Sequence, residues 1–269
     1  MDVPLPAGLR FAKMQGAGND FVVLDLRDGM SCPSPRQLVA LANRHFGIGC
    51  DQIMTIGPSE MADAALRFFN PDGTESGACG NATRCAVVWL GGVPGRRYRL
   101  ATAAGVLVAE RLEDGQVRVD MGPPRLGWRD VPLAREMDTL ALDLPGAPVA
   151  CSMGNPHVTF FVDDLDATDV AGLGAAFETN TLFPSRANIG FAQMTGAASM
   201  RLFVWERGAG ATLACGSGAC AAGVAAIRRG LAYERIAIAM PGGDLAVEWR
   251  GEGVWLSGPA RMVFEGRVG

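Results

Sequence analysis

The chain has 269 residues, 49% hydrophobic and 19% charged, which leaves room for two ordinary domains and excludes a long disordered chain. Its net charge of −4 argues against a nucleic-acid or anionic-membrane binder. Lys13 is the only lysine among 24 basic residues, so pyridoxal or other Schiff-base chemistry has a single residue to use.

In chain order, the opening MDVPLPAGLR lacks the basic and apolar regions of a secretory leader. With an odd count of 7 cysteines, the expected compartment is a reducing cytoplasm. FVVLDL (21–26), IMTI (53–56) and LRFF (66–69) read as strands. The turn-rich loop NPDGTESGA (70–78) follows, then a helix from Ala82 to Leu90 with small apolar residues all round, the pattern of a buried helix. Ala104-Gly105 marks a turn. HVTFFV (157–162), IGFAQM (189–194) and RLFVW (201–205) again read as strands. Behind them come the loop ERGAGATLA (206–214), a helix from Gly218 to Arg229 and the turn Pro241-Gly242-Gly243. Residues 208–227 carry no charge, but five glycines and eight alanines make them too weakly apolar for a membrane span.

The second series repeats the first. ACGNATRC around Cys79 and ACGSGACA around Cys215 lie 136 residues apart (215 − 79). The same offset carries Asn19 onto Asn155, Gln52 onto Asn188, Asn70 onto Glu206, Gly80 onto Gly216, Asn81 onto Ser217 and Gly122-Pro123 onto Gly258-Pro259. The expected architecture is α+β, with two pseudo-symmetric homologous domains, each a strongly curved mixed sheet wrapped around a central helix, and the active site in the cleft between them. The N-terminal repeat takes residues 1–125, joined by 262–269, and the C-terminal repeat takes 126–261.

A thiol at a helix start meets uncovered N–H groups and a partial positive charge, which on their own lower its pKa toward neutrality. Two such starts facing each other would put two thiols and two sets of anion donors around one carboxylate. That is equipment for removing a proton from one face of a carbon and returning it on the other. Most cysteines are packing residues, and Cys32, Cys50, Cys85, Cys151 and Cys220, which have no partner at the offset, take that reading. Asparagines usually cap turns; the pairing at the offset is what raises Asn19, Asn155, Gln52, Asn188 and Asn70 above it. His157, beside Asn155 in GNPH, is a candidate tuner of a thiol.

GNDF (18–21), FNPDG (69–73), CGNATRC (79–85), SMGNPH (152–157), WERGAG (205–210), ACGSGACA (214–221) and PGG (241–243) together resemble the diaminopimelate epimerase family, in order and over essentially the whole chain. The resemblance implies a cofactor-independent conversion of LL-2,6-diaminopimelate to the meso form, on the route to lysine and peptidoglycan. It implies Cys79 and Cys215 as the acid/base pair, with His157 and Glu206 tuning them. Gly80, Asn81, Gly216 and Ser217 would hold the reacting carboxylate. Asn19, Gln52, Asn70, Asn155, Asn188, Glu206 and Arg207 would fix the rest of the substrate. The implied partner is this small molecule, with no metal, nucleic acid or membrane, and a homodimer is a family expectation. Gln15 stands where a histidine is common, and Ala82-Thr83 replaces a more frequent Gly-Ile. One rival is a proline-type racemase of similar fold, against which the charged Glu206-Arg207 pair speaks. The other is a redox or zinc module, which the cysteine spacings and the two histidines, His45 and His157, disfavour.

Overall fold

A computed structural model of the chain describes residues 3–5, 7–77 and 79–268. Met1, Asp2 and Pro6 of the opening segment, Ala78 at the end of the expected loop 70–78, and Gly269 lie outside the described residues. Contacts divide the chain into two units, Met1–Val119 with Gly258–Gly269, and Asp120–Ser257.

The first unit runs β1 (Arg10–Gly16), β2 (Asn19–Asp25), α1 (Pro35–Ala42), β3 (Gln52–Gly57), β4 (Ala64–Phe69), β5 (Glu75–Ser76), α2 (Gly80–Trp89), β6 (Arg97–Thr102), β7 (Gly105–Arg111) and β8 (Val117–Asp120). The second runs β9 (Val149–Ser152), β10 (Pro156–Phe161), α3 (Val170–Glu178), β11 (Asn188–Gly196), β12 (Ser199–Glu206), β13 (Gly210–Thr212), α4 (Gly216–Arg228), β14 (Arg235–Met240), β15 (Gly243–Trp249) and β16 (Val254–Gly258). A last strand, β17 (Arg261–Arg267), pairs antiparallel with β1.

Each unit is a mixed sheet with the same connectivity. β1 pairs antiparallel with β2, β2 parallel with β3, β3 antiparallel with β4, and β4 parallel with β6. In the second unit β9, β10, β11, β12 and β14 follow the same sequence of senses. The register repeats too. Phe21 stands opposite Gln52, and His157 opposite Asn188; Ile53 stands opposite Phe69, and Ile189 opposite Trp205. Because a one-residue slip turns every side chain to the other face, this shared register places repeated residues equivalently within their own units.

The expected buried helices are α2 and α4. Every residue from Gly80 to Val87 is buried, Arg84 included, and so is almost every residue from Gly216 to Ala226. Both begin two residues earlier than the apolar pattern indicates, because Gly80-Asn81 and Gly216-Ser217 belong to the first helical turn and not to the preceding loop. Small residues let the helices lie against the sheets: a Cβ on Gly223 would come within 2.6 Å of the Val247 side chain. The loops 70–78 and 206–214 are not bare turns, since β5 pairs with β4 and β13 with β12. Each unit also has a helix that the apolar periodicity does not announce, α1 and α3. One end of α1 is set by Ser34, whose N–H donates to Gln37 Oε1, and α3 starts where Asp169 accepts from Gly172 N–H. Leu38 and Leu41 of α1 join Val22, Leu24 and Ile53 in one core, and Phe160, Phe183, Ile189 and Phe191 anchor the other. Among the described residues no helix is long and apolar enough to cross a membrane.

Candidate active site

In both units the cysteine is the residue that caps the buried helix. Cys79 has φ −147° and ψ 108°, Cys215 has φ −121° and ψ 109°, both extended, and each precedes the first helical residue. Cys79 Sγ accepts from Ala82 N–H at 3.5 Å, and Cys215 Sγ accepts from Gly218 N–H at 3.4 Å. Sulfur thus stands where a serine or aspartate oxygen usually satisfies one of the orphan donors of a first turn. Space at the second thiol is tight, since a Cβ on Gly218 would lie 3.3 Å from Cys215 Sγ.

In the first unit Asn81 lies one residue into α2, is 3% exposed, and donates from Nδ2 to Asn19 Oδ1 at 3.2 Å. Its own Oδ1 is buried and accepts no hydrogen bond among the described residues. Asn19 is fixed from the other side by Asp51, whose Oδ2 accepts from Asn19 Nδ2 at 2.8 Å. Arg44 bridges Asp51 and Asp20, each at 2.7 Å, and Lys13 pairs with Asp20. The only lysine is therefore part of the scaffold behind Asn19. Gln52, at the start of β3, donates to Asn70 Oδ1 at 2.9 Å, so these two candidates lie side by side.

In the second unit a chain of polar groups leads to the thiol. His157 Nε2 lies 3.0 Å from Asn155 Oδ1 and 3.0 Å from Ser217 Oγ, and Ser217 Oγ lies 3.6 Å from Cys215 Sγ. Asn155 Oδ1 can only accept, so this network assigns the His157 proton to Nε2 and leaves the Ser217 hydroxyl to donate to sulfur. Burial, helped by the charge of Arg207, pushes the His157 pKa down to about 3, so the imidazole is neutral at physiological pH. Asn188 is 3% exposed; it donates to Pro156 O at 2.8 Å and accepts the Arg207 backbone N–H at 2.9 Å. Glu206, at the end of β12, accepts from Thr212 Oγ1 at 2.7 Å, and Arg207 reaches Ser185 O at 2.9 Å.

The Cys215 thiol departs from the expectation for a helix start. Burial pushes its pKa well up, and the facing Glu206 carboxylate pushes it further, against the opposing donors Ser217 and Gly218. At 5% exposure the desolvation cost of a thiolate outweighs the helix dipole and two hydrogen bonds. Burial likewise raises Cys50 to about 11 and Cys85 and Cys151 to about 12. Thus the first unit brings together Asn19 with Asn81 and Gln52 with Asn70. The second gathers Asn155, His157, Ser217, Cys215 and Glu206, with Asn188 on the Arg207 backbone. Sequence reasoning passes over Asp51, whose offset position holds Ala187, and Thr212, which with Ser76 at the offset lies in loops read only as turns. Among the described residues no three His, Cys, Asp or Glu side chains cluster as a metal site would need.

The neutral His157 has a measurable consequence. Between about 3 and the ordinary value of 6.5 the unfolded state binds a proton that the folded state refuses. This contribution to stability is therefore present at neutral pH and is lost as pH falls through that window. From about pH 6.5 to 5, wild-type unfolding free energy should fall more steeply than that of His157→Gln, by up to about 1.4 kcal/mol per pH unit. Denaturant titrations at matched pH read it; equal slopes would contradict a neutral buried imidazole.

The chain is similar to known proteins over most of its length. The family model described as diaminopimelate epimerase matches residues 11–127 and 149–263. The diaminopimelate epimerase of Acidiphilium cryptum is 53% identical over 270 residues, covering 98% of each chain. That of Gluconobacter oxydans is 53% identical over 262 residues, covering 96% of this chain and 98% of its own. Among solved structures, a Bacillus anthracis phenazine biosynthesis protein of the PhzF family superposes with a TM-score of 0.71 at 16% identity, over 98% of this chain and 99% of that one. A probable proline racemase from Agrobacterium radiobacter does so at 0.66 and 17%, over 97% and 93%. These two likenesses are of fold alone.

Proposed function

The chain belongs to the diaminopimelate epimerase family, and from that premise we propose that it inverts one α-carbon of LL-2,6-diaminopimelate to give the meso isomer, without a cofactor, for lysine and peptidoglycan precursor synthesis. The observation that carries the reading is the matched pair of helix-capping thiols, Cys79 and Cys215, each followed by small residues whose backbone N–H groups open the helix.

The thiols divide the work as acid and base. Cys215, held protonated by burial and Glu206, is the resting acid, which leaves Cys79 as the base of the step that starts from this state. Thiolate at Cys79 takes the α-proton, and the electron pair left on carbon delocalises into the α-carboxylate. N–H groups at Gly80, Asn81, Gly216 and Ser217 stabilise that charge, as helix starts favour anions. Cys215 then delivers its proton to the opposite face. Its new thiolate is met by the Ser217 hydroxyl and the Gly218 N–H, and the reverse reaction begins from there. His157 acts without charge, by fixing Ser217 as a donor to sulfur. Asn19, Gln52, Asn70, Asn155, Asn188, Glu206 and Arg207 hold the rest of the substrate. A carboxylate beside an arginine suits a non-reacting end that carries both an ammonium and a carboxylate.

Proton NMR in D2O with reduced protein and LL-diaminopimelate tests the reading. Deuterium should enter one α-carbon as the meso isomer appears, and epimerisation should fall by at least about a thousandfold in Cys79→Ala and in Cys215→Ala. Active-thiol protein that exchanges no proton of diaminopimelate would reject this substrate, and proline would then be the competing one.

The reading includes a cytoplasmic homodimer. Edge strand β17 leaves Met262, Val263 and Phe264 about half exposed. A second copy laid antiparallel about Val263 would set Arg261 opposite Glu265 in both directions, a self-complementary pairing. Light scattering should give twice the chain mass for wild type and a monomer for Val263→Glu; a wild-type monomer at micromolar concentration would contradict the pairing.

A further inference from the structure

Glu178, the last residue of α3, is a buried carboxylate that the mechanism above does not use; it is 7% exposed. Its two oxygens are engaged on either side of the Glu206-Arg207 turn. Trp205 Nε1–H donates to Oε2 at 2.8 Å, and Gly208 N–H donates to Oε1 at 3.1 Å. Arg186 adds a weaker contact to Oε1 at 3.4 Å. The indole N–H, with the Gly208 N–H and Arg186 behind it, holds the carboxyl below the usual range against the opposing effect of burial. One turn earlier on α3, a Cβ on Gly174 would come within 2.6 Å of the Trp205 side chain, so the helix lies directly on that residue.

The arrangement is peculiar to the second unit. At the 136-residue offset Glu178 corresponds to Ala42, which carries no polar group. The matching turn after β4 is closed by its own residues: Asn70 N–H donates to Thr74 O at 2.8 Å, Asn70 Nδ2 to Thr74 Oγ1 at 3.1 Å, and Thr74 Oγ1 to Asp72 Oδ1 at 2.6 Å. The turn 206–209 closes on itself through its backbone, Ala209 N–H donating to Glu206 O at 3.1 Å, and side chains from outside it hold its residues, Thr212 on Glu206 and Asn188 on the Arg207 N–H. Burying a carboxylate is costly unless its oxygens are matched by donors, and here the donors flank the two charged residues of the turn.

We propose that Glu178 is a positioning residue that clamps the Glu206-Arg207 turn, so that these two side chains present a fixed carboxylate and guanidinium to the non-reacting end of the diamino diacid. The proposal rests on the function stated above. Only a carboxylate can accept on both sides of the turn. An amide would set an NH2 against either the indole N–H or the Gly208 N–H. Glu178 contacts neither thiol, and Glu206 is also held by Thr212, so loosening the turn falls on Arg207 and on binding more than on proton transfer.

Steady-state kinetics with LL-diaminopimelate test this with wild type, Glu178→Gln, Trp205→Phe and the double variant. Glu178→Gln should raise KM about tenfold, the scale of one lost hydrogen bond to a charged group, while kcat falls less than about threefold. In the Trp205→Phe background the same substitution should add little, because the amide oxygen can accept Gly208 N–H and its NH2 then meets no donor. A general folding defect would instead lower the active fraction, reducing kcat with KM unchanged and with no relief in the double variant. If Glu178→Gln folds poorly, Trp205→Phe alone still tests the clamp, with a smaller rise in KM expected. Active wild type with an unchanged KM in both single variants overturns the clamp alone. Wild type that does not turn over diaminopimelate overturns the function and the clamp with it.

Discussion

Everything in this fold that bears on chemistry depends on a sulfur atom capping a buried helix. A helix start carries N–H groups that must find acceptors, and in both units the cysteine before α2 or α4 supplies one, at 3.5 Å and 3.4 Å. The cap fixes the thiol against the backbone of the first turn. The small residues that follow keep that turn uncovered. The shared strand register then sets Gln52 and Asn188, and Phe21 and His157, at equivalent places in their own sheets.

The two caps are alike in backbone and unlike in surroundings. In the first turn after Cys79 stands an amide, Asn81, bonded to Asn19, which is held by an ionic group of Asp51, Arg44, Asp20 and Lys13. Around Cys215 the neighbours are a hydroxyl, a neutral imidazole and a carboxylate. Four influences act on that second thiol. The dipole and the donors favour the thiolate, while burial and Glu206 favour the thiol, and the latter pair prevails. A thiol that keeps its proton until a substrate anion arrives is suited to donate it. The same Ser217 and Gly218 donors then await the thiolate that remains.

Much of this was legible in the chain itself. The 136-residue offset linked the cysteines, the glycines after them and the polar residues at strand starts, because these are the positions where backbone register and helix capping admit few residue types. The strands from Phe21, Ile53, Val158 and Ile189 showed through alternation and β-branched content. Helices α1 and α3 did not, since they have eight and nine residues and α3 carries glycines that weaken helical propensity. Its place is set by packing on Trp205, a contact between residues far apart in sequence. The titration of Cys215 is hidden for a similar reason: a helix start is visible in sequence, but the approach of Glu206 and the exclusion of solvent are not. Asp51 and Glu178 escape a search by repeat because each serves only its own unit.

The most direct measurement of the account is the ultraviolet absorbance of thiolate in wild type minus Cys215→Ser, followed through a pH titration of reduced protein. Burial prevailing over the helix dipole predicts no thiolate step assignable to Cys215 below its ordinary value of about 9. A step near neutrality would show that the helix start governs this thiol, and Cys215 could then not be the resting acid.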